Sequence, residues 1–236
     1  MKIVYLEKSE IEKEIAQVFI DEIKKNPRCV LGFATGSSPL GIYKNLIDAN
    51  KKGEVSFKNV TSFNLDEYIG LNENNDQSYR YYMNNNFFKY IDIDIKNTHV
   101  PSAFVRTNEE AKKYDQMIES MGGIDVQLLG LGSDGHIAFN EPGTSFDSLT
   151  HIVDLTEQTI KDNSRFFNRI EDVPTQACTM GLKSIMNAKK VVLIATGKSK
   201  KGVIDRLVKG EFSEDLPVSI LEKHNNATIY VDKELM

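Results

Sequence analysis

Apolar positions along this chain come in two alternating rhythms. Short segments rich in apolar and β-branched residues at 2–6, 29–34, 60–65, 126–129, 151–155, 191–196 and 228–231 predict strands. Between them, apolar residues recur at helical spacing. Ser9 is expected to cap a helix to about Lys25, with Ile11, Ile15, Phe19 and Ile23 on one face. Pro39 suits the first turn of a helix reaching about Asn50. Residues 79–90 read as an aromatic helix, and Thr107 with Glu110 has the spacing of a capping box that opens a helix to about Met121. Pro174 precedes a helix predicted to run to about Ala188, and 198–209 is the helix after the strand at 191–196. Buried strands alternating with helices predict an α/β fold: a single-domain, Rossmann-like, mostly parallel sheet with helices on both faces. No linker, repeat or low-complexity tract interrupts residues 1–236, so one domain is expected.

Composition narrows the partners. Charged residues are 27% and apolar ones 40%, as in an ordinary globular chain. A net charge of −5 without a basic stripe argues against a nucleic-acid partner. The two cysteines, Cys29 and Cys178, sit in apolar surroundings and read as buried free thiols rather than a disulfide framework. No apolar run reaches membrane-spanning length, and the first residues read as a strand, not a signal peptide; a cytoplasmic location is expected.

The densest chemistry lies in 125–142, DVQLLGLGSDGHIAFNEP. A strand ends in glycines and delivers Asp134, His136 and Glu141 into one turn-rich stretch. A histidine between two carboxylates can hold and pass protons near neutral pH. Three more strand ends carry candidates. Thr35-Gly36-Ser37-Ser38 reads either as an N-cap with turn residues or as a phosphate site at a helix N-terminus. Asp66-Glu67 reads either as acids favoured at a helix N-terminus or as a carboxylate base at the sheet edge. Thr196-Gly197-Lys198-Ser199-Lys200 suggests a second anion loop, with Lys200 reaching a phosphate; it lacks the spacing of the nucleotide P-loop. Arg165 is a candidate second cation for the same group. Gly130-Leu-Gly132-Ser-Asp-Gly135 satisfies G-x-G-x-x-G, but Asn140-Glu-Pro-Gly143 stands where the crossover helix of a dinucleotide site must run. His99, His151 and His224 have no metal-ligand spacing, and three ligands in one tight loop rarely suffice for an ion, so no metal is expected.

Taken in order, Ala34-Thr-Gly-Ser-Ser-Pro39, Phe63-Asn-Leu-Asp-Glu-Tyr-Ile-Gly70, Gly132-Ser-Asp-Gly-His-Ile-Ala-Phe-Asn-Glu-Pro142, Asn163-Ser-Arg-Phe-Phe167 and Gly197-Lys-Ser-Lys200 resemble the glucosamine/galactosamine-6-phosphate isomerase family, in its short glucosamine-6-phosphate deaminase form. The resemblance implies conversion of glucosamine 6-phosphate and water to fructose 6-phosphate and ammonia, without an organic cofactor. It implies that His136 opens the sugar ring, that Asp134 and Glu141 set its charge and tautomer, and that Asp66 moves a proton from C2 to C1. Thr35, Gly36, Ser37, Arg165 and Lys200 match the family's phosphate clamp, and roughly 151–180 corresponds to its mobile lid. The phosphate loop departs by reading TGSSP where many members read TGGTP. Residues 149–154 lack the basic residues of the long members' allosteric site, and the chain stops at Met236. A monomer without activation by N-acetylglucosamine 6-phosphate is therefore expected. Two alternatives stand beside it. A 6-phosphogluconolactonase-like hydrolase shares the histidine loop but needs no C2 base and lacks the Asn-Glu-Pro ending. A non-catalytic sugar-phosphate sensor need not keep the acid–histidine–acid set, and usually carries a helix-turn-helix, for which there is no room before Lys2.

Overall fold

The computed structural model describes residues 1–164, 167 and 169–236. In chain order its main elements are β1 (Lys2–Leu6), α1 (Lys8–Lys25), β2 (Val30–Phe33), α2 (Leu40–Lys51), β3 (Thr61–Asn64), β4 (Asp66–Tyr68), α3 (Tyr79–Asn86) and β5 (Thr98–His99). Then come α4 (Asn108–Ala111), α5 (Lys113–Ser120), β6 (Val126–Leu129), β7 (His151–Asp154), α6 (Glu157–Asn163), β8 (Gln176–Thr179), α7 (Leu182–Met186), β9 (Val191–Ala195), α8 (Lys201–Val208) and β10 (Ala227–Asp232). Seven strands form one all-parallel sheet in the order β1-β10-β9-β6-β2-β3-β5. The chain moves one way across it from β1 to β5 and the other way from β6 to β10. Right-handed crossovers then put α1 and α2, which pack together, on one face and α7 and α8 on the other. This is the expected α/β architecture.

Continuous apolar strands fit a sheet covered on both faces: β2, β6 and β9 are buried at every position. An aromatic cluster underlies the end of β2. Phe33 stacks on Phe19 at 5.5 Å and meets Tyr43 and Phe87 edge-on at 5.8 and 5.1 Å. Each such pair is worth about 0.5–1.5 kcal/mol beyond its burial. The cluster braces the loop that follows, because the Tyr43 hydroxyl donates to the Ala34 carbonyl.

A second, three-stranded antiparallel sheet in the order β4-β8-β7 was not expected. Residues predicted to start a helix after Pro174 form β8, and only Leu182–Met186 is helical. Ala177 and Cys178 point to opposite faces of β8 and both are buried, so tertiary pairing overrides the reading from proline. Asp66-Glu67 likewise begins a strand rather than a helix. Smaller departures concern caps. Glu7, not Ser9, caps α1, in a reciprocal box with Glu10. Thr107 accepts from the Glu110 N–H at 3.2 Å, but the Glu110 carboxylate takes the Arg106 N–H instead of closing the box. The predicted helix is broken at Lys112 into α4 and α5. Cys29 and Cys178 are free and buried, and burial pushes both thiols up to about 12. No helix among the described residues is long and apolar enough to cross a membrane.

Candidate active site

Strand order reverses between β2 and β6, and ligands of open α/β sheets bind beyond the carboxyl ends of strands at such a switch point. A cavity of about 760 Å³ lies there. Its walls carry Thr35, Gly36 and Ser37 from the end of β2, Asp66 from the start of β4, and His136 from the loop after β6. Lys200, from the turn after β9, also lines it. Lys8 and Glu234 face the same cavity from the two ends of the chain, and the sequence reading did not include them.

The two anion loops use backbone shape. Gly36 has φ 93° and Gly197 has φ 89°, a region that L side chains rarely adopt. The carbonyls of the first loop are tied back, Ala34 O to Tyr43 and Gly36 O to the Tyr82 hydroxyl at 2.5 Å. The second loop has its Gly197 N–H held by a Glu234 carboxylate oxygen at 3.0 Å. Lys200 adds a positive charge that reaches His136. Arg165, the other expected cation, lies outside the described residues.

Asp66 and Glu67 are adjacent, both buried, and do different work. Glu67 accepts backbone N–H bonds from Tyr68, Tyr79 and Arg80, each at 2.9 Å. It therefore sits at the N-terminus of α3 and satisfies donors that a helix leaves open. The helix-terminus reading of this pair is thus correct for Glu67, across a loop rather than along the sequence. Among the described residues no such donor reaches the Asp66 carboxylate. Burial first, and then the Glu67 charge, push its carboxyl up to about 8, although His136 opposes them. A carboxyl in that range suits a general base working near neutral pH.

The loop after β6 brings Asp134, His136 and Glu141 together, as expected. His136 Nδ1 lies 2.7 Å from Asp134 Oδ1 and 3.6 Å from Glu141 Oε2. The approach is oblique, so Nδ1 lacks a well-aligned acceptor, a common state of catalytic hydrogen bonds before substrate arrives. Burial disfavours the imidazolium, but Asp134 and then Glu141 outweigh it and hold the His136 pKa above its usual range. Asp134 shifts oppositely. Burial would raise it, yet the His136 hydrogen bond and charge keep its carboxyl well below the normal range. Glu141 is raised, chiefly by burial.

These three groups could hold a metal ion, since their ligand atoms lie within 4.8 Å of one another. Two ligands of one tetrahedral zinc stand roughly 3.3 Å apart. The 2.7 Å contact of Nδ1 with Asp134 is a hydrogen-bond length instead.

The same loop shows why its glycines and Asn-Glu-Pro ending are needed. A Cβ on Gly132 would stand 2.4 Å from the His136 ring, so the ring packs over that residue only while it is glycine. Ala138 holds φ 54°, a strained value for a non-glycine residue. Asn140 is fully buried and donates to Ile137 O at 2.9 Å and Met180 O at 2.8 Å. Phe139 N–H donates to Thr179 Oγ1 at 3.1 Å. Both anchors are at the end of β8, so the small sheet fixes the backbone on which Glu141 stands. Thr159 of α6 is buried, lines the cavity and donates to Glu141. The sequence reading missed it, although Thr156-x-x-Thr159 marks the start of a helix.

A cleft with glycine turns and Lys200 at one end, and Asp66 and an acid-flanked histidine at the other, is the layout of an enzyme site. Comparison with known proteins names the group. The family model described as glucosamine-6-phosphate isomerases/6-phosphogluconolactonase matches residues 8–230, and the chain belongs to that family. It is 52% identical over 234 residues to a glucosamine-6-phosphate deaminase of Mycoplasma mycoides subsp. mycoides, covering 99% of this chain and 95% of that one. It is 49% identical over 233 residues to the glucosamine-6-phosphate deaminase of Thermoanaerobacter sp., covering 98% and 92%. A solved monomeric glucosamine-6-phosphate deaminase superposes with a TM-score of 0.96 at 42% identity, covering 100% of this chain and 98% of that one. The 6-phosphogluconolactonase of Thermotoga maritima superposes at 0.77 with 21% identity, covering 98% and 99%, and shares the fold.

Proposed function

We propose that this protein converts glucosamine 6-phosphate and water to fructose 6-phosphate and ammonia, in amino-sugar breakdown. The observation that carries the reading is Asp66. It is a buried carboxyl in the wall of the same cavity as His136, with a proton affinity suited to exchange near neutral pH. Opening a lactone needs no such base, whereas aldose–ketose isomerisation does.

In this reading, Thr35, Gly36, Ser37 and Lys200 hold the phosphate, and the family motif adds Arg165. Binding a group remote from the reacting carbons helps to orient them. His136, held cationic by Asp134 and Glu141, gives a proton to the ring oxygen and receives one from the anomeric hydroxyl as the ring opens. Asp66 takes the C2 proton and returns it at C1, a role worth about 10²–10⁴ in rate. The enolamine so formed becomes a ketimine; water adds at C2, and ammonia leaves. Residues 1–236 act as one domain, and α6 with its flanking segments, within roughly 151–180, serves as the lid. We assign a cytoplasmic monomer. The neighbour at TM-score 0.96 is itself described as monomeric, and the net charge of −5 gives nucleic acid no footing.

The test is to mix the protein with glucosamine 6-phosphate and follow ammonia and fructose 6-phosphate together. Equal appearance of both is expected. Hydrolysis of 6-phosphogluconolactone with no ammonia would move the chain to the lactonase branch. Thermal stabilisation by sugar phosphates with neither reaction would make it a sensor.

A further inference from the structure

Glu141 has two oxygens with two separate jobs. Oε2 faces His136 Nδ1 at 3.6 Å and is buried without an aligned donor. Oε1 accepts from Thr159 Oγ1 and, at 3.3 Å, from Thr156 Oγ1. The two hydroxyls are also 3.1 Å from each other. Thr156 is the N-cap of α6, and its side chain accepts from the Thr159 N–H at 3.2 Å. Thr159 is thus the third helical residue. A Glu or Gln there commonly reaches back to the cap backbone. Here the residue is a threonine that is 4% exposed, lines the cavity and turns its hydroxyl to Glu141.

We propose that Thr159 is a positioning residue that couples α6 to the proton relay. Its hydroxyl holds the Glu141 carboxylate aimed at His136, so ring opening is competent only with α6 docked on the cavity. The inference rests on the deaminase reading for its kinetic half. Its structural half, the control of His136 by Thr159 through Glu141, stands without any turnover.

Physical reasoning gives the sign. A hydroxyl donating to a buried carboxylate favours the charged form. Without the Thr159 hydrogen bond, burial raises Glu141 further, and its charge then favours the imidazolium less. Four titratable or charged groups act on His136: Asp134, Glu141, Asp66 and Lys200. On Glu141 itself the acting groups are His136 and Asp134. None of these side chains changes in the variants below.

Thr159→Val keeps the shape and removes the hydroxyl; Thr159→Ser keeps the hydroxyl and removes the methyl. The expected result for the valine variant is a kcat lowered roughly ten- to a hundred-fold, the scale of one hydrogen bond to a buried charge. KM should stay within about twofold. The NMR titration of His136 in the substrate-free protein should move to lower pH. Serine should restore both kcat and titration. If valine leaves both untouched, or if serine loses as much as valine, the hydroxyl does not position Glu141 and the proposal is overturned. Should the valine variant melt early, Thr159→Ala repeats the test without risk of overpacking. An inactive wild-type protein would remove the deaminase reading, while the His136 titration would still decide the link between Thr159 and Glu141.

Discussion

The seven-stranded sheet and the three-stranded sheet meet at one cavity and furnish it with different chemistry. The large sheet is buried on both faces in its central strands, and its strand ends supply glycine turns and Lys200 to the cavity. The small sheet has a short, partly exposed outer strand in β7, yet it carries the candidate base Asp66 beside its register partner Thr179, and Thr179 and Met180 anchor the Glu141 loop. On the proposed reading, the phosphate is held chiefly by loops of the large sheet, whereas proton transfer also depends on the small sheet, which carries Asp66 and anchors the loop after β6. Changes in the first should act mainly on affinity, and changes in the second mainly on turnover.

The largest expected effect comes from the small sheet. Asp66→Asn should lower kcat by about 10²–10⁴ while leaving sugar-phosphate binding nearly intact, measured by initial rates beside calorimetric titration. Undiminished turnover would remove Asp66 from the base role. Stability should respond too. Burial pushes the folded carboxyl up to about 8, far above the usual carboxylate range, so the folded state keeps a proton that the unfolded chain gives up. Wild-type stability therefore falls as pH rises from that range to about 8. The asparagine variant should lack that fall and melt above wild type at pH near 9; parallel melting curves would contradict it. In the wild-type enzyme kcat/KM should climb through about pH 8 as the free base ionises.

Next in size is the loop that the small sheet anchors. Gly132→Ala puts a Cβ 2.4 Å from the His136 ring, and a misplaced catalytic group costs about 10²-fold in kcat. Wild-type rates would mean that the ring has another seat. A smaller effect belongs to the large sheet. Lys200→Ala should raise KM roughly tenfold with little change in kcat, and an unaltered KM would move the phosphate clamp elsewhere. Smallest of all, N-acetylglucosamine 6-phosphate should leave the rate curve hyperbolic. A sigmoidal curve that it straightens would restore an allosteric site that residues 149–154 do not resemble.

The same division explains what could be read from the sequence. Strands of the large sheet announce themselves because burial on both faces demands mostly apolar runs, and Val126–Leu129 was legible to the residue although it contains Gln127. Loops after β2, β6 and β9 were legible because glycine and hydroxyl residues cluster where chains turn. The small sheet was not. β4 is only Asp66–Tyr68, and its place depends on pairing with Thr179, Cys178 and Ala177 more than a hundred residues later. No local pattern carries a contact of that kind. Asp66 and Glu67 look alike in sequence and separate only when α3 brings its open N–H groups to one of them. Thr159 was invisible for a related reason: its hydroxyl matters through Glu141, which stands on another element.

The hydroxyls of Tyr43 and Tyr82 give the first anion loop a polarity. Burial raises both phenols, so they remain donors at any physiological pH. They engage the carbonyls of Ala34 and Gly36, so each oxygen meets a ligand with one lone pair already taken. A cation would find those acceptors weakened, and an anion would lose nothing by it. Two aromatic side chains of α2 and α3 thereby bias the loop against positive charge, although neither needs to touch the ligand.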